Sequence, residues 1–537
     1  MPEPSHEAQD RPRARGGWEA AAGLSGRWLG YALALVAVAH LALLLYVLAR
    51  RLAYPFDLEW MEGGMLTHSL RLLRGEPLYG PPSVDFVSYL YTPLYPALVA
   101  ALGKVFGISY FLGRLVSVVS LAVSLAIGYR AARREGASPL LALVPMALVA
   151  AAFPFTGGWY DIVRNDGLSL ALVLGGLYLV AYHPHRLGAA LGAGALLALA
   201  FFAKQTATAF LVAGGVGLLI VRWRALLAYV ASAGAVLGAG IWLLQHTSDG
   251  WFWTYIYRLH QNHDFYARRA YLETPLILLK QAPVALPLLG GLFVLLAVRR
   301  RLARTTFVWL LAAGAGLVIS CVGFGTQWAY SNAFIPGVLF PAIALGVLLG
   351  RLSAPPAPGG QAVITAAAAL ALIVQLALAF YDPRPYLPTA ASRANGARLI
   401  ARLRAVPGPV FVPDHPWYPV LAGKPAHFHR MGLWDVRRAG LGLPRGLAEA
   451  ILTQRFALVV MDSRTVWPQW PHLRERYRVV ETARERDMPH VYSGAGAASE
   501  KVRPLLFPQF FLEPTAPPRP AGPVAPTPPT RAPDDDP

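Results

Sequence analysis

Apolar stretches about as long as a bilayer crossing recur along the chain, and no other feature restricts its fold as strongly. They cover residues 28–49, 110–129, 138–154, 166–182, 187–203, 205–221, 225–245, 273–298, 305–322, 332–350 and 361–381. Each is near the roughly 20 residues that cross a hydrocarbon core as a helix. The expected architecture is therefore an α-helical polytopic membrane protein with about eleven transmembrane helices. Composition agrees: 55% of the 537 residues are hydrophobic and 14% charged, against about half and a quarter in soluble domains. Residues 1–27 are polar and Arg-bearing and read as a cytoplasmic segment. The stretch from Trp28 to Ala49 has no small-residue cleavage site, so it reads as a retained first helix and not a removed signal peptide.

A further apolar segment, Thr92 to Gly107, is shorter and carries Pro93, Pro96 and Lys104. Whether it crosses decides the orientation of the rest. If it stays at the interface, the turns with Arg130, Arg133 and Arg134, with His185 and Arg186, with Arg222 and Arg224, with Arg299 to Arg301, and at Arg351 share one side with the N-terminus. The positive-inside rule makes that side cytoplasmic. Interfacial helices in a first outer loop, 50–109, follow. The loops 155–165, 246–272 and 323–331 and the chain from 382 then share the outer face with it. The formal charge of +19 belongs to these basic turns and to anionic headgroups, so membrane lipids and no nucleic acid are expected as partners. The single Cys321 excludes a disulfide framework and a thiolate metal site. Abundant Ala, Gly, Arg and Pro fit a GC-rich bacterial genome, which points to a multi-pass protein of the inner membrane with its active face extracytoplasmic.

The transmembrane domain is expected to span 28–381. Beyond it, short apolar runs (Val410 to Val412, Phe456 to Met461, Tyr477 to Val480) alternate with helix-like stretches at 390–405 and 444–455. This pattern reads as a small C-terminal α/β extracytoplasmic domain over 382–512. Residues 513–537, rich in Pro, Ala and Thr, read as a disordered tail. There is no internal repeat and no inverted pair of interrupted helices of the transporter kind.

Acids gather where the chain leaves the first span, in Tyr54-Pro-Phe-Asp-Leu-Glu-Trp-Met-Glu-Gly-Gly64. Asp57 can cap the amphipathic helix that follows, with Glu59 and Glu62 offsetting its dipole. It can equally be a general base held at the bilayer surface, and one role does not exclude the other. A second patch, Trp159-Tyr-Asp-Ile-Val-Arg-Asn-Asp166, offers Asp161 and Asp166 as caps and Arg164 as an interfacial anchor, or Arg164 and Asp166 as a site for an anionic group. Lys204, between two apolar segments, can snorkel or bind a lipid phosphate. His260 and His263 are spaced to share a metal if helical, although no companion metal motif is present. The aromatics around them suit an interfacial belt or a sugar-stacking wall. Asp414-His415 and His427-Phe-His429 read as loop residues with no chemistry assigned.

Phe56-Asp-Leu-Glu, Gly75-Glu-Pro-Leu-Tyr and Tyr91-Thr-Pro-Leu-Tyr-Pro, followed by Val163-Arg-Asn-Asp-Gly-Leu and Ala203-Lys-Gln-Thr, resemble in order and spacing the type C membrane glycosyltransferases, in particular the aminoarabinose transferase and protein O-mannosyltransferase group. The resemblance covers about residues 28–350. It implies an enzyme that takes a sugar from a polyprenyl-phosphate donor on the outer leaflet and passes it, usually with inversion, to a hydroxyl of a lipid, glycan or protein. Asp57 would be the catalytic base supported by Glu59, and Arg164, Asp166 and Lys204 would line the donor site. Glu62 and Asp161 are further site candidates. Some members bind a divalent metal, for which Asp85 with His260 or His263 would be the equivalent here. Two departures stand out: Tyr91-Thr-Pro-Leu replaces the group's Lys-Pro-Pro-Leu, and the acid pair is Asp-x-Glu where some members have adjacent Asp-Glu. The competing expectations are a transporter or flippase of a lipid-linked saccharide, and a non-catalytic anchor for the C-terminal domain.

Overall fold

The computed structural model describes residues 13–354, 361–494 and 507–515. The first 12 residues of the expected N-terminal segment and the tail from 516 lie outside the described residues. All of the apolar stretches are helical. The first is α1 (Arg13–Leu52), and the loop that follows it holds α2 (Glu62–Leu73) and α3 (Leu94–Phe106). The helical domain continues with α4 (Tyr110–Arg134), α5 (Val144–Ala151), α6 (Asp166–Tyr182), α7 (Leu187–Ala203), α8 (Thr208–Arg222) and α9 (Leu226–Thr247). After the short turn α10 (Trp251–Trp253) come α11 (Thr274–Gln281), α12 (Ala285–Val298), α13 (Arg304–Gly325), α14 (Ile335–Ser353) and α15 (Gln361–Leu378). A helix satisfies every backbone polar group within itself, which is what an apolar solvent demands.

Among the described residues, five helical runs are long and apolar enough to cross a membrane, or six if one bent pair is a single span. One of the five, Gln205–Thr247, is not straight. The Tyr229 hydroxyl donates to the Leu211 carbonyl at 2.6 Å, whereas a continuous helix would hold residues 18 apart about 27 Å away from each other. The run therefore folds back at Trp223–Ala225 into α8 and α9. Residues 273–298, expected as one span, break between α11 and α12 with a 92° bend, the geometry of a broken span or of a re-entrant pair. Leu94–Phe106, at 13 residues, is shorter than a crossing. Close approach replaces hydrophobic driving force where such helices pack. At Gly194 of α7 a Cβ would lie 2.3 Å from the Tyr229 carbonyl oxygen of α9.

The two ends of the bundle differ. At one end the basic turns meet: Arg351 pairs with Glu135 at 2.5 Å and reaches Thr305, and Arg301 bonds Gln361. At the other end the loops 50–109, 155–165 and 323–331 lie against the C-terminal domain, through Ser493 N to the Leu58 carbonyl, Gly494 N to the Gly157 carbonyl, and Trp328 against Trp434.

The C-terminal domain is a four-stranded sheet in the order β1-β2-β4-β3, flanked by α16 (Ala390–Ala405), α17 (Trp417–Leu421), α18 (Arg430–Arg438) and α19 (Leu447–Leu452). Strands β1 (Val410–Phe411), β2 (Leu458–Met461) and β3 (Tyr477–Thr482) are the three apolar runs of the sequence. The helix expected at 390–405 is α16, and α19 lies within the stretch 444–455. The fourth strand, β4 (Phe510–Pro514), crosses the boundary drawn at residue 512. It pairs antiparallel with β2 and β3, while β1 and β2 are parallel. This last detail sets up the site. Residues just past the ends of adjacent parallel strands converge, and here they are Asp414, His415 and Asp462.

Candidate active site

The acidic turn after α1 is folded inward. Asp57 is fully buried, and its Oδ1 accepts from Gly63 N at 2.9 Å and from the Tyr110 hydroxyl at 2.8 Å. The N-cap of α2 is Met61, which makes no side-chain cap; Asp57, five residues ahead of the helix, instead accepts from an amide of its first turn. Glycine is required in that turn: a Cβ on Gly64 would lie 1.7 Å from the Tyr89 hydroxyl. The Asp57 Oδ2 meets His415 Nδ1 at 2.7 Å, and His415 Nε2 meets Asp462 Oδ2 at 3.1 Å. Burial alone would lower the His415 pKa, but the two carboxylates outweigh it and hold it up at about 10. Sequence reasoning assigned His415 no chemistry. The signal that could have found it is a charged pair following one predicted strand and an acid following the next.

Glu59 is 1% exposed, and its Oε1 has no hydrogen-bond partner. Its Oε2 takes Met61 N at 3.2 Å and lies 3.7 Å from Arg164. Burial pushes this carboxyl up to about 8, against the pull of Arg164. Glu62 and Asp161, by contrast, are fully committed to holding the loops in place. Glu62 binds Arg114 through both oxygens, at 2.9 and 2.6 Å, and also takes Leu58 N and Val163 N. Asp161 is gripped by Arg51 at 2.7 and 3.0 Å. All four of these side chains are fully buried.

Arg164, Asp166 and Lys204 come together on the wall of one cavity of about 560 Å³, within the usual 300–1,000 Å³ of ligand sites. Asp166 opens α6 without capping it through Asn165. Its Oδ1 receives Lys204 Nζ at 2.5 Å and Asn332 at 3.2 Å; its buried Oδ2 is unpartnered. Arg164 donates to the Tyr91 hydroxyl at 2.7 Å and lies over the Tyr91 and Trp159 rings, leaving its Nε without a partner. The tyrosine standing where the resembling group has a lysine is therefore a cavity residue here. Toward the bundle the wall turns apolar, with Phe210 and the aliphatic Leu170, Val318, Ile319 and Val322. Val318 and Val322 are also exposed on α13, so this flank meets the surface at the depth of the helices.

The expected metal set is not brought together. Asp85 is held by Arg455 at 2.9 Å and His427 at 3.3 Å on the surface. His260 bonds the Leu90 carbonyl and His263 bonds Asp435. These three residues do not fit a metal, and among the described residues no other cluster of three or more ligating side chains does.

The structure matches crystal structures of ArnT from Cupriavidus metallidurans. In the form bound to undecaprenyl phosphate the TM-score is 0.55 at 16% identity, covering 83% of this chain and 96% of that one. In the apo form the values are 0.55 and 16%, covering 89% and 97%. The fold is thus that of the type C membrane glycosyltransferases, as the order of motifs implied. Residues 89–272 match the model of glycosyltransferase family 87, a span that includes Arg164, Asp166 and Lys204 and begins after the acidic turn. No curated protein matches the chain. Fold and family match together support a glycosyltransferase.

Proposed function

We propose that this protein transfers a sugar from a polyprenyl-phosphate donor to an acceptor hydroxyl on the outer face of the membrane, with inversion. The observation that carries the reading is the two-sided cavity. An aliphatic flank reaches the surface between helices, and a polar inner end holds Arg164 and Lys204 beside a buried carboxyl with a free oxygen. A polyprenyl chain suits the first and its phosphate the second. Arg164 and Lys204 would stabilise the charge that grows on the phosphate as the anomeric C–O bond breaks and its electron pair leaves with the phosphate oxygen. The acceptor oxygen forms the new bond from the opposite side and gives its proton to a carboxylate.

We assign that proton to Glu59, which stands behind the cavity residue Arg164 at 3.7 Å with its Oε1 unpartnered, because Asp166 is already engaged by Lys204 and Asn332. A second reading keeps Asp57 as the base and is favoured by the Asp57–His415–Asp462 chain, a ready path for a proton. It requires the 57–62 turn to rotate toward the cavity, since both Asp57 oxygens are occupied. The grouping of the basic turns at one end of the bundle supports the proposed topology: about eleven crossings, a cytoplasmic basic end, and an extracytoplasmic C-terminal domain. A transporter would carry ionisable residues deep within its spans, whereas Asp166 opens α6 and Lys204 follows the end of α7.

Purified protein in nanodiscs, given polyprenyl-phosphate sugars and the glycolipids that accumulate in a deletion strain, tests the reading. Glu59→Gln should abolish transfer while undecaprenyl phosphate still stabilises the protein. Full turnover by Glu59→Gln with none by Asp57→Asn would transfer the role to Asp57. Full turnover by both variants would end the general-base proposal.

A further inference from the structure

The cavity has a third wall that the donor does not account for, made by the loop after α13 and by α18 of the C-terminal domain. We infer that this wall is an acceptor subsite for a saccharide, in which Trp328 stacks on a sugar ring and Asp435 accepts from its hydroxyls; the inference rests on the glycosyltransferase reading above.

Trp328 adopts the left-handed backbone conformation, with φ of 64°, which a bulky residue rarely holds unless its surroundings impose it. The surroundings do impose it. Gln327 N bonds the Asp264 carbonyl at 2.9 Å, and Thr326 bridges to Phe265, so the turn is fixed to the preceding outer loop. The indole that results lies nearly parallel to Trp434, with ring centres 5.2 Å apart and planes 19° apart. Trp434 is itself fixed by its Nε1, which donates to Gln469 Oε1 at 2.6 Å. Even so, 43% of Trp328 remains exposed, and it lines the cavity. A strained, braced aromatic with an open face is a costly arrangement for mere packing.

The polar partner is Asp435, one residue beyond Trp434. It is 4% exposed, lines the same cavity, and binds His263 Nε2 through Oδ1 at 3.1 Å. A flat apolar face beside an oriented carboxylate matches a sugar ring, which carries C–H groups on one face and hydroxyls round its edge. A lipid acceptor would need no carboxylate here, and the aliphatic flank lies elsewhere in the cavity. A peptide would need backbone partners, and Trp328 and Asp435 offer only side chains.

The test uses the full chain in nanodiscs and two separate readouts. Saturation-transfer NMR with a panel of hexose and pentose disaccharides as methyl glycosides should show ring protons receiving saturation. The dissociation constant should rise roughly 2- to 12-fold in Trp328→Ala, the loss of one aromatic contact, and be largely restored in Trp328→Phe. Asp435→Asn should weaken binding without changing which ring face is saturated. Thermal stabilisation by undecaprenyl phosphate reports the donor site independently: its absence in the parent protein would overturn the donor reading whatever the sugars do. No saturation of any disaccharide, or equal binding by the parent and Trp328→Ala, would overturn the acceptor subsite with the donor reading intact.

Discussion

Replacing Arg114 by Met should unfasten the acidic turn. The guanidinium reaches from α4 to both Glu62 oxygens, at 2.9 and 2.6 Å, and also donates to the carbonyls of Tyr54 and Phe56. Methionine fills much of the volume but leaves the Glu62 carboxylate buried, with only Leu58 N and Val163 N to answer it. Removing one partner of a buried pair costs about 3–5 kcal/mol, most of it from the charge left behind. If the loss stays local, hydrogen exchange across residues 54–66 should accelerate by roughly 10²- to 10⁴-fold, with the helices beyond α4 unchanged. Mass-spectrometric exchange on the protein in nanodiscs reads this directly. The double variant Arg114→Met with Glu62→Gln removes the orphaned charge and should recover part of the protection. Exchange within about threefold of the parent in the single variant would refute the staple. A double variant no better than the single one would show that the stranded charge is not the cause.

Lys204→Ala should weaken undecaprenyl phosphate roughly 10- to 100-fold, the loss of a charge-assisted bond, read by thermal shift against ligand concentration. Glu59, held up at about 8, binds its proton more tightly in the fold than when unfolded. It therefore lowers stability as pH rises from about 4.5 to 8, and Glu59→Gln should flatten that fall in melting temperature. His415 works in a higher window, since its folded pKa of about 10 exceeds its ordinary 6.5: its contribution is full below 6.5 and lost as pH rises to 10, and His415→Gln should remove the decline across that window. An unchanged melting profile in either variant would count against the protonation state assigned to it.

The sequence made the helices legible because lipid leaves so few alternatives: an apolar run of span length has to be helical. Hydropathy could not reveal the break at residues 282–284, since a 92° bend changes no residue's hydropathy, but Pro283 within the helical run was a signal for it. The separation of α8 from α9 was legible as the stretches 205–221 and 225–245 on either side of Arg222 and Arg224, and the Tyr229 hydroxyl on the Leu211 carbonyl agrees with it. Within the site, Arg164, Asp166 and Lys204 were visible because charges at span ends are costly and few. The difference between Glu59 and Glu62 was not, because both are buried acids of the same turn. What separates them is an arginine 52 residues from Glu62, and no local pattern encodes that distance.

The largest gap, His415, has a physical explanation that changes how the C-terminal domain is understood. Its Asp414-His415 pair looked like loop chemistry because the sequence placed it in a separate soluble unit. Yet β1 and β2 are parallel, so His415 and Asp462 emerge side by side, and this edge of the sheet is the surface that closes over the first loop. The same domain also supplies Ser493 N to the Leu58 carbonyl, between the two acids, and Trp434 and Asp435 to the cavity wall. The acidic turn is consequently held from both sides, by Arg114 from the bundle and by His415 from the sheet. Glu59 lies between the two anchors with one oxygen free. A chain cut after α15 would retain the lipid flank and its cations but uncover the acidic turn and take the imidazole from Asp57, so such a truncation should bind undecaprenyl phosphate and transfer nothing.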